Sequence, residues 1–91
     1  MKPEDLRDLR NGILIELYRL GGDRGRSARA LHTILKQQVA CEVSDVQAQL
    51  TFLKGLGYVK DVAADDIAPG LDPFWIITSA GMAHAEAAHI V

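Results

Sequence analysis

Leu6, Leu9, Ile13, Leu17 and Leu20 recur at intervals of three and four residues, the spacing that gathers apolar side chains on one face of a helix. A first helix is therefore predicted over about 4 to 20. Pro3 suits its first turn, Glu4 and Asp5 favour the positive end of its dipole, and Gly21-Gly22 supplies a stop. After the polar loop GDRGR, Ser27 can cap a second helix through about Gln38, with Leu31, Ile34 and Leu35 turned inward. Val39 to Val43 is a short connection whose β-branched ends leave room for a brief strand.

The stretch SDVQAQLTFLKGLGYV, from Ser44 to Val59, combines a helix start, an apolar stripe, a glycine stop and a strand. Ser44 and Gln47 have capping-box spacing, and Val46, Leu50 and Leu53 mark the buried stripe. Gly55 and Gly57 bracket Leu56 at the expected C-terminus, where a left-handed residue is often needed. The pattern then shifts to period two. YVKDVA and FWIIT read as paired strands joined by the turn-rich DDIAPGLDP, in which Pro69-Gly70 suits the centre of a type II turn. Thr78 can cap a last, alanine-rich helix of about 79 to 89, anchored by Met82. The predicted class is α+β, mainly α: a three-helix core, a two-stranded hairpin and a C-terminal helix in one domain, 1–91.

A hydrophobic content of 48% over 91 residues suits one compact core and leaves no space for a second domain. The longest apolar runs, GILI and FWII, are far shorter than the roughly 20 residues of a bilayer-spanning helix. The absence of a signal segment and the single cysteine, Cys41, lead us to expect a cytoplasmic, reducing location and no membrane. The net charge of −2 is uneven: residues 1–44 carry +2 and residues 45–91 carry −4. Arg19, Arg24, Arg26, Arg29 and Lys36 against Asp23 make 19–36 the cationic segment.

This element order resembles the winged helix-turn-helix family over nearly the whole chain. Leu50-x-x-Leu53-x-x-x-Gly57-Tyr58-Val59 is similar to the end of the recognition helix in MarR-type bacterial regulators, and Ile77-Thr78-x-x-Gly81 to the strand-to-helix junction after their wing. The compact size and Phe52 also resemble small winged-helix proteins encoded in Mu-like prophages. The resemblance implies a third helix, about 45–56, that enters the major groove of double-stranded DNA, with outward positions Asp45, Gln47, Ala48, Thr51 and Phe52. Gln47 can bond adenine, Thr51 a base or phosphate, and Lys54 is that helix's one cation. Arg24, Arg26 and Arg29 at the second helix's N-terminus are candidate phosphate ligands. The chain departs from the family at Ala48 and Phe52, where a polar contact is usual, and in the wing, where Asp61, Asp65, Asp66 and Asp72 replace basic residues.

Each assignment has a plainer counterpart. Gln47 can serve as the capping partner, Thr51 and the arginines as solvated surface, and Phe52 as packing beneath the hairpin. Neither an enzyme nor a cofactor is implied. His32, His84 and His89 are dispersed, His84 and His89 lie five positions apart rather than four, and Cys41 reads as a buried structural thiol with no partner cysteine. Asp65-Asp66 at a hairpin tip has no cleft in which one carboxyl would stay protonated. Two functions follow: a DNA-binding regulator, and a protein-interaction module that presents Phe52 and the acidic wing, including Asp65 and Asp66. The face of Ala80, Ala83 and Ala87 suits packing on the first helix in part, with a homodimer as the other use.

Overall fold

The computed structural model describes residues 1–63 and 72–91. The predicted Pro69-Gly70 turn and the acidic pair Asp65 and Asp66 lie outside the described residues. Among the described residues, four helices and one antiparallel pair of strands follow in the order α1 (Pro3–Leu20), α2 (Ala28–Leu35), α3 (Val43–Gly55), β1 (Val59–Val62), β2 (Phe74–Ile77) and α4 (Ser79–Ala87). The class is α+β and mainly helical.

The spacing of α1 delivers what it implies. Leu9, Ile13 and Leu17 are completely buried, Leu14 joins them, and each such side chain contributes about 1.5–3 kcal/mol of burial energy. Pro3 opens the helix, and Gly21, at φ 80°, closes it with its N–H on the Tyr18 carbonyl. Packing α1 against α2, α3, β2 and α4 makes it the central element of the core.

Ser27 caps α2 as predicted, its Oγ accepting from the Ala30 N–H at 3.2 Å. The helix stops at Leu35, three residues before Gln38, because the N–H groups of Gln38 and Val39 both turn back to the Leu35 carbonyl and carry Val39 into the core. No strand forms in the connection to α3: Val39 is a core residue and Val43 already belongs to the helix. A ring nitrogen of His32 holds this turn at the Cys41 carbonyl, 2.8 Å away.

The start of α3 also corrects the expected cap. Glu42 is the N-cap, and the Asp45 carboxylate, a shorter arm than a glutamine, accepts from its N–H at 2.8 Å. Ser44 therefore sits inside the first turn, and Gln47 has no capping role. At the other end Gly55 is still helical and Leu56 is right-handed; Gly57 alone, at φ 81°, takes the left-handed conformation.

Pairing of Val59 with Ile77 and of Val62 with Phe74 fixes the hairpin register. Alternation then puts Val59, Asp61, Trp75 and Ile77 on the face toward the helices, and Lys60, Val62, Phe74 and Ile76 on the outer face. The loop between α1 and α2 adds an element that the hydrophobic pattern did not show. Arg26 exchanges both backbone hydrogen bonds with Trp75, at 3.1 and 2.9 Å, so its backbone lies alongside β2 as a one-residue third strand.

Thr78 caps α4 by accepting from the Gly81 N–H at 3.0 Å. The inward side of that helix is Gly81 and Ala85, with half-buried Met82. Ala80, Ala83 and Ala87 are exposed, so the expected packing of their face on α1 is not what forms. The reason is the close approach at Gly81, where any Cβ would collide with the Tyr58 carbonyl oxygen. That contact orients α4 with its glycine down.

Candidate nucleic-acid interface

The exposed surface of α3 divides into two faces. Gln47, Thr51 and Lys54 follow at i, i+4 and i+7 and line up toward the hairpin. Ala48, Phe52 and Leu56 form a second row at i, i+4 and i+8, on the side of α1. The first row is polar. The second carries two of the largest exposed apolar side chains, Phe52 and Leu56.

Gln47 and Thr51 open into a cleft of about 250 Å³ completed by Ala28, Asp72, Pro73 and Trp75. The N-terminal turn of α2, the middle of α3 and the start of β2 thus meet at one place. Arg29, one residue beyond Ala28, reaches the same rim, where its Nε lies 3.4 Å from the Asp72 carboxylate. Lys54, further along α3, approaches Asp61 of β1 to 2.8 Å. Lys54 hydrogen-bonds this carboxyl and holds it below the usual carboxylate range, as an opposite charge at that distance should.

The three arginines expected to act together have separate environments. Arg24 is exposed. Arg29 is exposed and ion-paired. Arg26 is half-buried, its backbone is tied to Trp75, and its Nε is buried with no hydrogen-bond partner among the described residues. Arg26 is thus partly a sheet residue.

Phe52 does not pack beneath the hairpin. It is 46% exposed, and the Arg10 guanidinium of α1 lies 4.2 Å from the centre of its ring. The same guanidinium donates from Nε to the Gln49 Oε1 at 2.5 Å, and Gln49 is the buried polar residue of the described core. This linkage was missed in the sequence although a signal existed: position 49 falls within the Val46, Leu50, Leu53 stripe. The pairs formed by Asp61 and Asp72 left no comparable local signal.

His84 stacks on Tyr58 with ring centres 4.4 Å apart, and Tyr18 donates to Glu86 at 3.2 Å, a hydrogen bond that raises the phenol's pKa. Cys41 is half-buried rather than buried; desolvation first, then Asp45 and Glu42, push its thiol up, away from the reactive thiolate form. Among the described residues no group of three His, Cys, Asp or Glu converges as a metal site, and no helix is long and apolar enough to cross a membrane. Comparison of the chain with protein-family models, with curated proteins and with solved structures finds no match.

Proposed function

We propose that this protein is a small winged helix-turn-helix domain that binds double-stranded DNA, with α3 as recognition helix and a regulatory role in transcription. The observation that carries the reading is the cleft that joins Gln47 and Thr51 of α3 to the N-terminal turn of α2, with Arg29 at its rim. Side chains able to reach base edges there lie beside cations and free N–H groups able to take phosphate. The two motifs behind the family resemblance also meet in space. Thr78 donates from Oγ1 to the Gly57 carbonyl at 2.6 Å and from N–H to the Tyr58 carbonyl at 3.0 Å, while Gly81 gives that carbonyl room. Residues that are far apart in sequence are thus needed by one another, which supports a shared architecture rather than two coincidences. The backbone bridge of Arg26 to Trp75 ties the loop before α2 to the same hairpin.

Fluorescence anisotropy of a labelled mixed-sequence duplex, titrated across a salt series, tests the proposal. Wild type should bind in a salt-sensitive manner, and Arg24→Gln with Arg29→Gln should weaken binding and flatten the salt slope. Unchanged affinity and slope in that variant would remove the arginines from the interface. A second reading, a protein-interaction module, draws on the exposed Phe52 and Leu56 row. It would gain if wild type failed to bind duplex at low salt and a protein partner were lost on Phe52→Ala.

A further inference from the structure

On the DNA-binding reading, two ion pairs, one at the rim of the cleft and one further along α3, have a consequence of their own. Arg29 in the first turn of α2 pairs with Asp72 before β2, and Lys54 in the last turn of α3 pairs with Asp61 of β1. In each case a helix cation is matched by a hairpin carboxylate. Gln47 and Thr51 fall between Arg29 and Lys54 in the sequence, line the cleft, and have no ion-pair partner among the described residues.

We propose that Asp61 and Asp72 restrain sequence-independent binding of duplex DNA at this surface by acting as internal substitutes for phosphate. A cation that leaves a carboxylate for a phosphate exchanges one anionic oxygen for another. It also leaves an unpaired carboxylate next to the polyanion. Counterion release from DNA, the source of nearly all nonspecific affinity, is then largely offset by the newly exposed negative charge. Hydrogen bonds from Gln47 and Thr51 to base edges involve no such exchange and keep their full value. The pairing therefore lowers affinity for any duplex by a similar factor, so that tight binding requires the base contacts of Gln47 and Thr51 in addition to phosphate attraction. Both pairs are solvent-exposed and hence weak enough to open when a correct site supplies the remaining contacts.

The test compares wild type with Asp61→Asn, Asp72→Asn and the double variant, using anisotropy of a labelled mixed-sequence duplex from low to moderate salt. Asp8→Asn, on the exposed side of α1 in a different surface groove, controls for net charge alone. The double variant should bind about five- to tenfold more tightly at low salt, from two released pairs of ordinary surface strength. Its plot of log K against log salt should steepen by up to about 2, one phosphate for each released cation. Asp8→Asn should do neither. If Asp61→Asn is repeated on a Lys54→Gln background, its effect on the slope should disappear, since the carboxylate acts through that lysine. Wild-type binding with the same slope in the double variant, or an equal gain from Asp8→Asn, would overturn the inference and leave the DNA reading standing. No binding by either protein at the lowest salt would overturn both.

Discussion

Leu50 and Thr51 are neighbours on α3 with opposite constraints. Leu50 is completely buried among residues of α1, α2 and the hairpin, whereas Thr51 is exposed and lines the cleft. Every neighbour of Leu50 restricts which side chain can stand there. Thr51 is free of that restriction, so its identity carries information about whatever meets the outer surface. The same division runs through the junction behind the helix. Gly57, Tyr58, Thr78 and Gly81 are fixed by mutual contacts, while Gln47, Lys54 and Arg29 have chiefly solvent and two carboxylates around them. Inward residues report the architecture and outward residues report the partner.

The sharpest way to break the comparison is substitution at position 50. Leu50→Ala should cost about 2–5 kcal/mol in urea denaturation, from lost burial and the cavity left behind, and Thr51→Ala should stay within about 0.5 kcal/mol. Similar costs at the two sites would show that the outer row is part of the scaffold. At the junction, Gly81→Ala should cost about 1–3 kcal/mol, because the added Cβ meets the Tyr58 backbone carbonyl, which is held by the Thr78 N–H. Gly55→Ala, which meets nothing within 4 Å and does not have positive φ, should be neutral or stabilising by about 0.5–1 kcal/mol.

Legibility in the sequence followed this division. The bounds of α1, the Ser27 and Thr78 caps and both strands could be read because local chemistry and periodicity agree there. The α3 cap was misplaced because Glu42-x-x-Asp45 and Ser44-x-x-Gln47 have the same spacing, and only the backbone geometry at Glu42 decides between them. Phe52 was misplaced because its nearest cation, Arg10, lies 42 positions away on another helix. The acidity of the wing was visible as composition. That Asp61 and Asp72 answer two particular cations depends on hairpin register, which local patterns specify only after the strands have paired.

Two smaller effects sharpen the outer side of the comparison. Gln47→Ala should leave stability unchanged and reduce discrimination between a selected site and mixed sequence by about 1–3 kcal/mol, read from competition binding. Asp61 gives a pH signature. Its carboxyl titrates lower in the folded chain than in the unfolded one, so its contribution is present above the ordinary carboxylate value of about 4 and is lost as pH falls through the lower, folded value. Asp61→Asn should remove that acid-side loss from the stability profile, and Lys54→Gln should return the carboxyl toward its ordinary range in an NMR titration.

DNA binding through α3 and the start of α2 is tested most directly by amide chemical-shift mapping of isotopically labelled protein as mixed-sequence duplex DNA is added at low salt. Perturbations are expected at Gln47, Thr51 and Lys54 and at the α2 N-terminus around Ala28 and Arg29, with Ala83 and Ala87 of α4 unmoved. A spectrum that does not change with added duplex, or changes confined to surfaces away from α3 and the start of α2, would contradict it.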